Sequence, residues 1–470
     1  MGINGINKLI KRHSPDAFLV ILISWLSGKR IAIDGNNWMY TNMAIARKKV
    51  IKKTDVSVQE PNPQQIRREW FLAAINFILT WISYNVTPVF IFDGDHPPEK
   101  ADTKAKRRDA RIAAKAKIDA LYGQLKGDIL ARPANIIEEL RKELRNYNFI
   151  SGEDFELFQM VIKGIGIPCL KAIGDGERLC STLCVEEQVA AVFSVDTDNL
   201  VYGCPLVIIG FADTCSYDNN GQRVPHLNCV RLDKALEGLK INHSLFVDLC
   251  IMSGCDYNKN IPGYASINSY NLLQKYGSID DLPRNFNIDC LKHIRCRELF
   301  SYVPSDLLIM SSDTPNDTDV IVENAYDGLQ LRQLENVGPL DINKHAITTA
   351  RDYLEMAGIS GQIDRIITSY SHITPASNGY IESLELSPAP KYTPPLRRLV
   401  LNIVPSNSVS NIMPTIPQPT VLSQNTIPNS STLQHPTYLT EINGNRQAVQ
   451  LLLPQNITPP SFIELYPVTK

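Results

Sequence analysis

The chain has 470 residues, 44% apolar and 20% charged, with a formal net charge of −2, which excludes outright disorder and fibrous architectures and predicts two or three domains. Its longest apolar run, Phe18 to Leu26, is nine residues with a Ser inside it, far short of the roughly 20 that a membrane span needs. The ten cysteines all fall between Cys169 and Cys296 without a CxxC pair or zinc-type Cys/His spacing, so reduced thiols are expected, with Cys180 and Cys184 packed in the core.

In chain order, Phe18 to Leu26 reads as a buried helix. Basic residues precede it, yet it ends in Trp25-Leu26-Ser27-Gly28-Lys29 without a small-residue cleavage site, so an intracellular protein that is not secreted and not membrane-bound is expected. Lys29 to Ile33 is a short apolar strand ending on Asp34, followed by the helix-starting Gly35-Asn36-Asn37. Pro88 to Phe92 repeats that grammar, ending on Asp93-Gly94, and Ala190 to Val195 does so again, ending on Asp196-Thr197-Asp198.

Lys100 to Lys117 carries eight basic and two acidic residues without Gly or Pro, which predicts a helix with cations over much of its surface. Residues 1–150 hold 25 Lys and Arg against 15 Asp and Glu, the remainder 22 against 34; a basic portion of this kind suits a polyanion partner. Helices are expected around Ile136 to Asn146. Another short strand, Gly166 to Ala172, leads to Asp175 at a helix N-cap with Glu177 in the first turn. Leu245 to Met252 is an amphipathic helix with Asp256 in the loop after it, and Asp248 reads as a surface or capping residue. From about residue 376 the chain is rich in Pro, Ser, Asn and Thr, which predicts a disordered tail.

Strands separated by helices imply a parallel sheet, whose carboxyl edge binds ligands. Three strands deliver acids to that edge. Hard oxygen donors of this kind suit magnesium, which in pairs can clamp the attacking and leaving oxygens of a phosphodiester displacement.

These residues resemble the structure-specific 5′ nucleases of the flap endonuclease and XPG family. The resemblance lies in Met1-Gly2-Ile3-Asn4-Gly5-Ile6 with Gly28 to Asp34, in Phe92-Asp93-Gly94 followed by Pro97-Pro98 and Lys106-Arg107-Arg108, and in Gly166-Ile167-Pro168. It continues through Asp175, Glu177 and Cys180, Asp196-Thr197-Asp198 before Tyr202-Gly203, and Phe246 to Ile251 running into Gly254-Cys255-Asp256-Tyr257. It covers roughly residues 1–290.

The resemblance implies an α/β fold, a PIN-like, mostly parallel sheet flanked by helices, with a helical arch and a helix-two-turn-helix-like segment; composition adds the disordered C-terminal tail. Its parts would be an N-terminal nuclease region (1–110), a helical arch or cap insertion (111–160), an internal nuclease region with a duplex-binding helical segment (161–300), a helical extension (301–375) and the tail (376–470). It further implies two Mg²⁺ ions, with Mn²⁺ able to substitute, bound directly or through water by Asp34, Asp93, Asp175, Glu177, Asp196, Asp198 and Asp256. Lys100 and Arg107 would stabilise charge on the scissile phosphate, and Gly2, Lys104, Lys106, Arg108, Arg111 and Gly263 would contact DNA. The implied partner is DNA with 5′ flaps, junctions or ends, at the nucleus or another site of DNA replication.

Three features depart from the family pattern. Asp175 stands where Glu is usual, which shortens its reach by one methylene. In Asn260 to Ser269, the helix-two-turn-helix-like segment, the second Gly is Ala265 and the usual basic residues are absent, which weakens the expected grip on duplex. The tail has no clear sliding-clamp box. A PIN-type ribonuclease or 5′ exoribonuclease and a non-catalytic scaffold for branched DNA are the alternatives; the duplex-binding segment, weakened as it is, favours DNA over RNA, and retention of carboxylates at all seven positions speaks against the scaffold.

Overall fold

The computed structural model describes residues 2–3, 5–126, 133–217, 221, 223–310, 355–356, 358–359, 386–395, 438–442 and 445–449. The chain divides into two compact units, Met1–Arg397 and Arg398–Lys470.

The first unit is organised by one sheet of seven strands: β1 (Phe18–Leu22), β2 (Arg30–Asp34), β3 (Thr87–Phe92), β4 (Cys169–Lys171), β5 (Val192–Phe193), β6 (Leu206–Tyr217) and β7 (Arg223–Arg231), in the order β1-β7-β6-β5-β2-β3-β4. Strands β6, β5, β2, β3 and β4 run parallel, while β7 is antiparallel to both β6 and β1. The expected α/β, mostly parallel sheet is therefore present. Because successive side chains in a strand point to opposite faces, each strand serves two cores. Ile31, Ile33, Phe90, Phe92, Leu206 and Ile208 enter one apolar layer with Trp38, Trp70, Phe71 and Phe158. Ala32, Ile91, Val192 and Val207 enter the other with Ile6, Leu179, Leu239 and Phe246. Burial on both faces explains why these strands read as continuous apolar runs.

Helices α1 (Ile6–His13), α2 (Gly35–Lys53), α3 (Pro63–Ser83), α4 (Ala101–Gln124), α5 (Ala134–Asn146), α6 (Gly152–Gly164), α7 (Gly176–Val185), α8 (Asp198–Val201), α9 (Leu232–Leu239), α10 (His243–Ser253), α11 (Ser266–Tyr276) and α12 (His293–Phe300) complete the unit. Several start as their sequences dictate. Asn62 caps α3, accepting from Gln64 N at 2.9 Å with Pro63 in the first turn, and Ser151 caps α6, each satisfying backbone donors that a helix leaves open. The cationic helix expected from Lys100 is α4, and a boundary at 110 falls inside it. Helices α4 and α5 share a small core in which Ile118, Leu121, Leu125, Leu140 and Leu144 meet Ile51 and Val56 at the end of α2. Among the described residues no helix is long and apolar enough to cross a membrane.

Two readings are corrected. Phe18 to Leu26 is not a helix: Phe18–Leu22 pairs with Val230 to His226 on β7, and Ile23–Leu26 forms a 3₁₀ turn. A short apolar run has no period to separate the two, and a strand partner some two hundred residues away decided it. Asp248 is not a surface residue: it is buried and takes Arg297 Nε and Nη2 at 2.7 Å each.

Beyond α12, residues 308–310 stitch onto the end of β4: Ile173 N donates to Leu308 O at 2.6 Å and Met310 N to Lys171 O at 2.9 Å. Within the expected tail, residues 386–395 include a buried Tyr392 whose carbonyl accepts from Tyr302 N at 2.8 Å, so this stretch is seated on the first unit. In the second unit, β8 (Tyr438–Ile442) and β9 (Asn445–Val449) form an antiparallel pair. Of residues 311–385 only Glu355, Met356, Gly358 and the buried Ile359 are described; the remainder of the expected extension and tail lies outside the described residues.

Candidate active site

The site follows from where the parallel strands end. Asp34 closes β2 and caps α2, its Oδ1 accepting from Asn37 N at 3.0 Å. Its Oδ2 accepts from Ser194 Oγ at 2.9 Å, and the same hydroxyl accepts from Asp196 N at 3.1 Å. One serine thus ties the tip of β2 to the tip of β5. Asp93, just after β3, is latched to α2 by Asn36, whose Nδ2 donates to Oδ2 at 2.8 Å while its Oδ1 accepts Asp93 N at 3.2 Å. Gly176 N, at the start of α7, donates to Asp93 Oδ1 at 2.7 Å.

Asp175 occupies the N-cap position of α7, as expected, but its side chain makes no capping bond. It accepts instead from His96 Nδ1 at 2.5 Å, Lys100 Nζ at 3.1 Å and Tyr257 OH at 2.6 Å. Since Tyr257 spends its proton on Asp175, Tyr202 OH is the donor in the 2.7 Å contact between the two phenols. Asp256, after α10, receives Arg107 Nη2 at 3.1 Å, and Lys100 Nζ lies 3.6 Å from its Oδ2. Asp198 opens α8, its amide donating to Asp196 Oδ1 at 3.2 Å. Its own Oδ1 is buried without a hydrogen-bond partner.

The electrostatics divide the acids. Burial, reinforced by Asp93, pushes the Asp34 carboxyl up to about 7. Burial and then Asp196 and Asp198 hold Glu177 well above the usual carboxylate range, with Lys100 as the opposing influence. Asp198 is raised in the same way, by burial and then Asp196, and Asp93 is raised chiefly by burial. Asp175 goes the other way: burial pushes it up, but His96, Lys100 and Tyr257 together bring it well below the ordinary value. Lys100, buried yet facing Glu177, Asp175 and Asp256, is held protonated above the usual lysine range.

All seven expected acids and the pair Lys100 and Arg107 therefore meet in one place. Gly2 joins them: at φ +89° it has no room for a side chain, since a Cβ would stand 2.3 Å from Asp196 Oδ1. Lys104, Lys106 and Arg108 lie exposed along α4, beside the site. Arg111 lies further along α4, partly exposed, with its guanidinium 4.6 Å from the centre of the Phe149 ring. Gly263 is in the turn before α11, at φ +83° with open space around it and outside the acid cluster. All ten cysteines are free, and Cys180 and Cys184 are buried as expected. His96, Tyr257, Ser194 and Asn36 were not singled out by sequence. Each neighbours a chosen acid along the chain, and that adjacency was the only available signal.

Among the described residues no three His, Cys, Asp or Glu side chains converge as ready-made ligands of one ion. The donor set nonetheless fits a hard divalent cation held partly through water, as magnesium prefers: every donor is a carboxylate oxygen, and the buried Asp198 Oδ1 lacks a partner.

A family model for the XPG N-terminal domain matches residues 1–114, and one for the XPG I-region matches residues 166–256. The chain is 30% identical over 311 residues to Flap endonuclease 1 of Cryptosporidium muris (strain RN66), a match covering 64% of this chain and 62% of that protein. It is 26% identical over 339 residues to the "Probable RAD2-like endonuclease 369L" of Invertebrate iridescent virus 6, covering 64% of this chain and 80% of that one. Among solved structures, the catalytic core of Rad2 in complex with DNA substrate (complex III) is similar at a TM-score of 0.47 and 17% identity, over 78% of this chain and 100% of that chain. The chain spans 62% and 56% of the lengths of Flap endonuclease 1 from Cryptosporidium muris and Cryptosporidium parvum (strain Iowa II).

Proposed function

We propose that this chain, which carries both the XPG N-terminal domain and the XPG I-region, is a metal-dependent, structure-specific 5′ nuclease that hydrolyses phosphodiesters in flap or branched DNA. Its setting would be DNA replication, repair or recombination within the cell. The observation that carries this reading is the meeting of carboxylates from the ends of β2, β3 and β5, those of β2 and β5 buried, with Lys100 and Arg107 at the foot of a cationic helix.

Asp34, Glu177, Asp196 and Asp198, with Asp93 beside them, would hold two Mg²⁺ ions, or Mn²⁺ in their place. Once bound, such ions supply Lewis-acid charge stabilisation and activate water near neutral pH. The chain's own residues do the rest. Exposed Lys104, Lys106 and Arg108 would draw the phosphate backbone toward the foot of α4 by displacing its counterions. Lys100 and Arg107, held in place by Asp175 and Asp256, would offer fixed positive charge to the phosphate as negative charge develops there, which costs no reorganisation at the moment of reaction. Gly2, with no side chain over Asp196, would let the nucleic-acid backbone approach closely.

The test is Mg²⁺-dependent cleavage of end-labelled 5′-flap DNA, with single-stranded DNA, duplex and RNA controls, by the wild type and by Asp93→Asn with Asp196→Asn. Cutting near the flap junction by the wild type, with binding but no cutting by the double variant, is the expected result. A folded wild type that binds junctions and leaves every substrate intact would replace the nuclease with a scaffold, and preferential cutting of RNA would replace it with a ribonuclease.

A further inference from the structure

Asp175 is clasped by three side chains at once, and this sets it apart from Asp34, Glu177, Asp196 and Asp198. A carboxylate offers about four lone-pair sites. Here His96 Nδ1 and Lys100 Nζ take Oδ1 and Tyr257 OH takes Oδ2. Because Asp175 is an acceptor only, His96 donates from Nδ1, and its Nε2 lies 3.8 Å from Asp93 Oδ2. The ring thus fills the space between two acids. The backbones on either side are stitched together, Gly94 N donating to Gly174 O at 2.8 Å and Ala172 N to Phe92 O at 2.9 Å, so neither loop is free to carry Asp175 elsewhere.

We infer that Asp175 is a positioning residue and not a metal ligand: His96 and Tyr257 fix its carboxylate so that it holds Lys100 Nζ at the edge of the acid field. The divalent-cation site is left to Asp34, Asp93, Glu177, Asp196 and Asp198. The short side chain and the histidine form one device, since an Asp at the N-cap position of α7 leaves room for an imidazole between itself and Asp93. The inference rests on the nuclease reading for what Lys100 does, while its claim about Asp175 is about binding alone.

The test is Mn²⁺ binding to the full chain without DNA, read from the free-ion paramagnetic resonance signal, for wild type, Asp175→Asn, Glu177→Gln and His96→Ala. The Mn²⁺ dissociation constant of Asp175→Asn is expected to stay within about threefold of wild type, while Glu177→Gln, which removes a ligand outright, weakens binding by more than the roughly tenfold that loss of an outer hydrogen-bond partner costs. With saturating Mn²⁺, kcat on flap DNA should fall by about tenfold or more in Asp175→Asn with KM unchanged, the signature of a lost transition-state contact. His96→Ala should fall in the same direction, and His96→Asn, which keeps a donor near the Nδ1 position, should recover most of the loss. Weakening of Mn²⁺ binding by Asp175→Asn to the extent seen for Glu177→Gln, or an unchanged kcat in His96→Ala, would overturn the inference. A wild type that binds no Mn²⁺ would instead overturn the nuclease reading itself.

Discussion

Around β4, Asp175 and Asp256 face Lys100, His96 and Arg107, whereas around β2 and β5, Asp34, Glu177, Asp196 and Asp198 form no ion pair among the described residues. The first group is ion-paired with the protein's own cations; the second is not, and Lys100 only partly offsets Glu177 and Asp198 from beyond ion-pair distance. Burial and mutual repulsion raise the second group, while three donors pull Asp175 down. A protein that clusters four carboxylates, three of them buried, without a cation paired to any of them keeps them at a cost, and the cost is reasonable only if an added cation relieves it. The contrast teaches that acids alike in sequence divide into those that position protein charge and those that await charge from outside.

The sharpest way to break that contrast is to neutralise the uncompensated half. Asp196→Asn with Asp198→Asn should lower flap cleavage on the order of 10³-fold or more, and without divalent ions it should melt at a higher temperature than wild type because a repulsion has gone. A lower melting temperature would mean these acids are satisfied as they stand. On the compensated half the sign reverses. Lys100→Met strips a partner from Asp175 and Asp256, and a loss of about 2 to 3 kcal/mol by denaturant titration is expected, below the full cost of breaking a buried pair because His96 and Tyr257 stay on Asp175. Its kcat should fall about 10²-fold, in line with loss of one preorganised donor.

Smaller effects separate surface charge from site charge. Lys106→Ala should reduce the slope of log DNA affinity against log salt by about 1 and leave Mn²⁺ binding alone. Arg111→Ala should cost about 0.5 to 1 kcal/mol of stability, from its ring contact with Phe149, with little change in that slope; a slope reduced by about 1 would place Arg111 on the DNA face beside Lys106.

Much of this arrangement was legible in the chain. Each acid at a strand tip was marked by an apolar run followed by Asp and a helix-starting residue, a local signal carried by Asp34, Asp93 and Asp196 alike. The cationic α4 was legible because composition alone set it. What escaped was long-range. The strand character of Phe18–Leu22 depends on β7, the burial of Asp248 depends on Arg297 across 49 residues, and the clasp on Asp175 brings Tyr257 to His96 and Lys100, which share one stretch of chain far from both Asp175 and Tyr257. No spacing rule links those positions. The antiparallel β6–β7 pair is different, because its strands are consecutive and Asn219-Asn220-Gly221 between them is a local hairpin signal.

The most direct test of the central contrast is the thermal stability of the wild type against pH, with and without millimolar Mg²⁺. Asp34, raised from 3.8 to about 7 in the folded chain, binds its proton more tightly folded than unfolded. Without divalent ions its contribution is therefore fully present below pH 3.8 and is lost as pH rises through about 7. Mg²⁺ binds the ionised form, so the rise in Tm on adding it should be larger at pH 8 than at pH 6, and Asp196→Asn with Asp198→Asn should abolish that rise. A Tm unchanged by Mg²⁺ at pH 8 would contradict the account, because the uncompensated acids would then be waiting for nothing.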